Sequence, residues 1–120
     1  MNGRKARVLV VDDDTSLIDL ITSLLEDEGY TVESARNGQD AVNQATENVP
    51  DIILLDLHMP VMDGWTCCRT LKRREETSDV PVIVMSAGGD GAAYADLGAQ
   101  SFLRKPFELG DLLSRVRKYV

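Results

Sequence analysis

Arg7-Val-Leu-Val-Val11, followed at once by Asp12-Asp13-Asp14, decides how the chain is read. Four apolar, mostly β-branched residues after Arg7 are too few for a helix and have no polar alternation, so they predict a strand buried on both faces. Beyond the aspartates, Leu17, Ile18, Ile21, Leu24 and Leu25 recur at helical spacing, and Gly29 supplies a stop. The unit is a strand, an acidic turn and an amphipathic helix.

The same alternation continues along the chain. The pattern predicts a short strand over Thr31–Ser34, a helix over Gln39–Glu47, a strongly apolar strand over Ile52–Asp56 and a helix over Trp65–Arg74. Pro81–Ser86 and Ser101–Leu103 are the remaining strands, and Leu109, Leu112, Leu113 and Val116 mark a closing helix. Five β/α pairs with short connections predict an α/β fold, a parallel sheet covered by helices on both faces. Right-handed crossovers follow. Gly88, Gly89, Gly91 and Gly98 crowd the fourth crossover, and each interior glycine costs a helix about 1 kcal/mol relative to alanine. That helix is expected to be short.

Composition narrows the function. With 120 residues and 43% of them hydrophobic, one domain over residues 1–120 is expected. Scaling relations give about 6,400 Å² of folded surface against about 19,000 Å² unfolded, a core large enough to need no disulfide or metal staple. Cys67 and Cys68 are adjacent and read as free thiols in a reducing compartment. No signal-peptide pattern or membrane-length apolar run is present, so a cytoplasmic protein with no membrane contact is expected. The net charge of −7 argues against direct nucleic-acid binding. That charge is lopsided: residues 1–63 hold 13 acids and 4 bases, residues 64–120 only 7 acids and 9 bases. Clustered acids either repel or await a cation.

Open parallel sheets bind ligands beyond the carboxyl ends of their strands. There the chain places Asp12, Asp13 and Asp14, then Asp56, Ser86 and finally Lys105 before Pro106. Carboxylates without thiol or convincing imidazole partners suit a hard divalent ion such as Mg²⁺, with Mn²⁺ also fitting. A hydroxyl and a lysine beside such an ion suit a phosphoryl group.

Val10-Val-Asp-Asp-Asp14, Leu55-Asp-Leu-His-Met-Pro-Val-Met-Asp-Gly64, Met85-Ser-Ala87 and Phe102-Leu-Arg-Lys-Pro-Phe107, in that order, resemble the receiver domain of two-component response regulators over nearly the whole chain. The resemblance implies a flavodoxin-like (βα)5 three-layer sandwich with strand order 2-1-3-4-5. It implies that Asp56 accepts a phosphoryl group from a phosphohistidine on a histidine kinase or phosphotransfer protein. Asp13, Asp56 and the backbone carbonyl of His58 would bind Mg²⁺ directly, and Asp12 through water. Ser86 and Lys105 would contact phosphoryl oxygens, Pro106 would follow a cis peptide bond, and Ser86 and Phe102 would act as the switch pair. Output would pass through the face of the fourth helix, fifth strand and fifth helix. It would reach an effector protein, a domain outside this chain, or a phosphorylation-dependent homodimer. Eighteen residues separate Ser86 from Lys105, roughly one helical turn fewer than the resemblance implies.

Blander roles compete at some positions. Asp14 and Thr15 suit capping of the first helix, Asp63-Gly64 a turn before the third, and Trp65 and Leu71 its core side. The ring of His58 is expected at the surface. Arg69, Lys72, Arg73 and Arg74 read as a solvated helix end favoured by the dipole. Two other functions compete. Asp12-Asp13-Asp14-Thr15-Ser16, with Gly89-Asp90 and Asp96, loosely matches a haloacid-dehalogenase-type phosphatase with Asp12 as nucleophile, a reading that leaves Asp56 unexplained. A receiver-like docking module would not need the acid pair, acceptor, hydroxyl and lysine together. A nucleotide-binding sheet is excluded because no glycine-rich loop follows the first strand. The expectation is therefore a signalling domain that catalyses only its own phosphorylation and dephosphorylation.

Overall fold

The computed structural model describes residues 5–88 and 94–120. The strands are β1 (Arg7–Val11), β2 (Thr31–Ala35), β3 (Ile52–Asp56), β4 (Val82–Ser86) and β5 (Ser101–Arg104), and the helices are α1 (Thr15–Asp27), α2 (Gly38–Glu47), α3 (Gly64–Arg73) and α4 (Leu109–Tyr119). All strand pairs are parallel, in the order β2-β1-β3-β4-β5. This is the flavodoxin-like strand order that the resemblance implies.

The central strands are apolar throughout because each pleat face meets helices. Leu9, Val11, Ile53, Leu55, Val82 and Val84 pack with Val42, Ala45, Cys67, Cys68 and Leu71 of α2 and α3. Val8, Val10, Ile52, Leu54, Ile83 and Met85 point the other way, toward Ile18, Ile21 and Leu25 of α1 and Leu112 and Val116 of α4. A period of two in the strands thus feeds two separate cores, which makes three layers. The total surface is 6201 Å², close to the scaling expectation.

Local chemistry sets the helix ends. Asp14 caps α1 by accepting the Leu17 N–H, and Asp63 caps α3 by accepting that of Thr66. Helix α1 closes with the Gly29 N–H on Glu26 O and the Tyr30 N–H on Leu25 O.

Two expectations need correction. Among the described residues the fourth crossover holds no α-helix, only a 3₁₀ turn at Tyr94–Leu97. The short connection and its glycines favour one tight turn over a nucleated helix. Gly89, Asp90 and Gly91 lie outside the described residues. The second correction is Lys72, which is not a solvated end like Arg69, Arg73 and Arg74. Its Nζ donates to Val80 O at 2.7 Å and, at 3.4 Å each, to Ser78 O and Gln100 Oε1. Burial pushes its pKa down.

Candidate functional site at the carboxyl edge of the sheet

Each central strand ends at a polar residue that the fold turns toward its neighbours. Asp12 follows β1 directly, is fully buried, and donates its N–H to Ala35 O. Its Oδ1 accepts the Asp14 N–H at 2.9 Å and its Oδ2 lies 2.7 Å from Lys105 Nζ. Asp56 closes β3, next to β1 in the sheet, and is 4% exposed. Its Oδ1 accepts the His58 N–H at 3.3 Å and stands 3.6 Å from Lys105 Nζ. Asp13 is exposed, yet the ligand oxygens of Asp12, Asp13 and Asp56 all fall within 4.8 Å of one another.

The other strand ends complete the edge. Ser86, the buried last residue of β4, accepts the Gly88 N–H on Oγ at 3.2 Å, and its carbonyl accepts the Lys105 N–H at 2.8 Å. That backbone bond extends the β4–β5 ladder by one step and brings Lys105 to the acids. The Lys105–Pro106 peptide bond is cis. Phe102 is half-buried on β5, opposite Val84, against the core shared with α2 and α3. His58 is exposed and lines a cavity of about 470 Å³ with Asp13, Met59, Asp63 and Trp65.

Electrostatics follow from this crowding. Burial, then the charge of Asp12, raises the Asp56 carboxyl above its ordinary value, while Lys105 and the His58 N–H pull it back. Burial alone would lower the Lys105 pKa, but the hydrogen bond and charge of Asp12, joined by Asp56, raise it. Lys105 is thus a charged counterion shared by two carboxylates. The buried thiols are inert by contrast: burial first, then Cys68 and Asp63, push Cys67 up to about 12.

One glycine at this edge matters more than composition suggested. A Cβ on Gly64 would lie 2.2 Å from the backbone oxygen of Asp56 and 2.5 Å from Leu57 Cα, so the start of α3 is pressed directly against the end of β3. Asp63-Gly64 is therefore a cap and a close contact, not only a turn. The readable signal was a glycine in the first turn of a helix, where glycine is a poor former.

Residues 8–117 match the response regulator receiver domain family. The chain is 41% identical over 114 residues to the DNA-binding dual master transcriptional regulator RpaA of Synechocystis sp., covering 92% of this chain and 47% of that protein. It is 43% identical over 115 residues to the response regulator PleD of Caulobacter vibrioides, covering 93% of this chain and 25% of that one. The chain thus spans half or less of the length of these relatives. Among solved structures, the receiver domain of the sensor histidine kinase PA1611 of Pseudomonas aeruginosa, described with a magnesium ion coordinated in its active-site cleft, superposes with a TM-score of 0.89 at 28% identity. That alignment covers 97% of this chain and 98% of the other. A match across nearly its whole length, on a sheet of the same strand order, means that this chain belongs to the response regulator receiver domain family of two-component signal transduction.

Proposed function

We propose that residues 1–120 form a single receiver domain that accepts a phosphoryl group on Asp56 from the phosphohistidine of a histidine kinase or phosphotransfer protein. One observation carries this reading: Asp12, Asp13 and Asp56 converge at one strand edge with Lys105 bonded among them. Three oxygen donors without a thiol or imidazole fit Mg²⁺, or Mn²⁺, in preference to softer ions. Asp12, Asp13, Asp56 and the backbone carbonyl of His58 would hold it. Bound there, the ion would supply positive charge to the phosphoryl oxygens during transfer.

The chain's own residues would do the rest. A carboxylate oxygen of Asp56 attacks phosphorus, the P–N bond to the donor imidazole breaks, and the imidazole leaves with that electron pair and takes a proton. Lys105 moves from Asp12 to a phosphoryl oxygen, and the Ser86 hydroxyl donates to another. Drawing Ser86 inward opens space for Phe102, which shifts a pre-existing equilibrium of the face formed by the 3₁₀ turn, β5 and α4. That face would address an effector protein or an output domain outside this chain, a second copy being a further candidate. The acidic receiver itself is not proposed to touch nucleic acid, and no helix among the described residues is long and apolar enough to cross a membrane. A cytoplasmic location is consistent with this. The domain would catalyse only its own phosphorylation and dephosphorylation. The phosphatase reading is not favoured, because both oxygens of the buried Asp12 are already engaged, by Asp14 and Lys105.

Incubation with Mg²⁺ and a small acyl phosphate, followed by intact mass, tests the assignment. Wild type should gain one phosphoryl group and Asp56→Asn none. Labelling that survives in Asp56→Asn and disappears in Asp12→Asn would overturn it.

A further inference from the structure

The end of β2 and the start of α2 give no carboxylate, hydroxyl or ammonium to the acid cluster, yet they touch both loops that carry the acids. Ala35 O accepts the Asp12 N–H at 3.1 Å, and the Gly38 N–H donates to Met62 O at 3.0 Å. Met62 lies on the loop that leaves Asp56, passes His58 and ends at Asp63. On that loop Val61 holds φ at 68°, in the left-handed region that β-branched residues avoid. Something must hold it there.

Gly38 sits against the crest of this loop. A Cβ at position 38 would meet Met62 O at 2.4 Å and Met62 Cγ at 2.9 Å. The nearest atom is backbone, so an alanine could be accommodated only by moving the helix start or the loop. Asn37 in turn fixes the first turn of α2 by accepting the Asp40 N–H at 2.9 Å.

We infer that Gly38 is a positioning residue for the divalent-cation site: the first turn of α2 clamps the Asp56–Asp63 loop and thereby sets His58 and Asp56 relative to Asp12 and Asp13. The inference rests on reading the acid cluster as a Mg²⁺ site. Support around a metal's ligands typically changes affinity by about tenfold or more when removed.

The test compares Gly38→Ala with Val116→Ala, a buried α4 residue in the core on the opposite face of the sheet, which should lower stability without touching the loop. Two readouts are taken on the whole chain: Mg²⁺ affinity from the fluorescence of Trp65, the only tryptophan, which lines the cavity with Asp13 and His58, and the amide shifts of residues 57–59 and 61–63 without metal. Gly38→Ala should bind Mg²⁺ about tenfold more weakly and shift the loop amides, whereas Val116→Ala should do neither. If Gly38→Ala does not fold, Asn37→Ala should shift both readouts in the same direction. Unmoved amides and unchanged affinity in the folded variant overturn the inference. Absence of Mg²⁺ binding by the wild type would instead sink the metal reading, and the metal-free amide shifts would still decide the clamp.

Discussion

Lys105 Nζ lies 2.7 Å from Asp12 Oδ2 and 3.6 Å from Asp56 Oδ1, so one ammonium from the last strand end neutralises carboxylates from the first and third. The lysine keeps 21% side-chain exposure, whereas Asp12 has none. Without the lysine, two buried carboxylates would face each other uncompensated.

Lys105→Met keeps the aliphatic stem and removes the charge. Losing one partner of a fully buried pair costs roughly 3–5 kcal/mol, and the partial exposure here brings the expected loss to about 2 kcal/mol without metal. Because Mg²⁺ would no longer compete with the ammonium for Asp12, it should raise Tm more in the variant than in wild type. Urea unfolding without metal measures the loss, and thermal melts with and without Mg²⁺ measure the shift in Tm. A metal-free variant as stable as wild type would overturn the prediction.

The raised pKa of Asp56 has the opposite sign for stability. Its folded form holds a proton more tightly than the unfolded chain, whose value is about 3.8. The group's favourable contribution is therefore complete below that value and is lost as pH rises through the folded pKa. Asp56→Asn should stabilise the metal-free protein at neutral pH by roughly 1 kcal/mol, a figure kept small because Lys105 and the His58 N–H already offset much of the cost of burying the charge. The advantage should vanish as pH falls toward 3.8 and shrink when Mg²⁺ is added. Thermal melts over a pH series check it, and a metal-free variant less stable than wild type at neutral pH would contradict it.

Lys72 joins three segments that meet far from the acids. Its Nζ reaches Val80 O and Gln100 Oε1, and the same Oε1 accepts the Val82 N–H at 2.7 Å, so the ammonium braces the entry of β4 against the residue before β5. Lys72→Met should cost about 1–2 kcal/mol, the loss of hydrogen bonds from a charged donor. Faster hydrogen exchange at the Val82 amide should accompany it. A truly solvated lysine would lose no more than about 0.5 kcal/mol and leave that exchange unchanged.

Most strands and helices were legible because the signals are local. Val8–Val11 and Ile52–Leu55 are apolar on both pleat faces, which only a covered parallel sheet explains, and Asp14 and Asp63 cap the helices that follow them. Boundaries moved by a residue or so, as at Ala35, Gly64 and Arg104. In the fourth crossover, where a short helix is expected, the described residues show only the 3₁₀ turn Tyr94–Leu97, because glycine content signals weakness without saying which turn forms. Lys72 was misread because composition cannot distinguish a charge at a helix end from one folded back onto a neighbouring strand.

The sequence by itself determined the alternation of strand and helix, the placement of Asp12, Asp13, Asp56, Ser86 and Lys105 at strand ends, and the family resemblance that names them, since periodicity and turn chemistry are written along the chain. Only the tertiary structure decided that Lys105 reaches Asp12 across 93 residues, that Gly64 must lie against the Asp56 carbonyl, and that Gly38 meets Met62. Those contacts join segments brought together by the strand order, and a distance between two strand ends exists only once the sheet has formed.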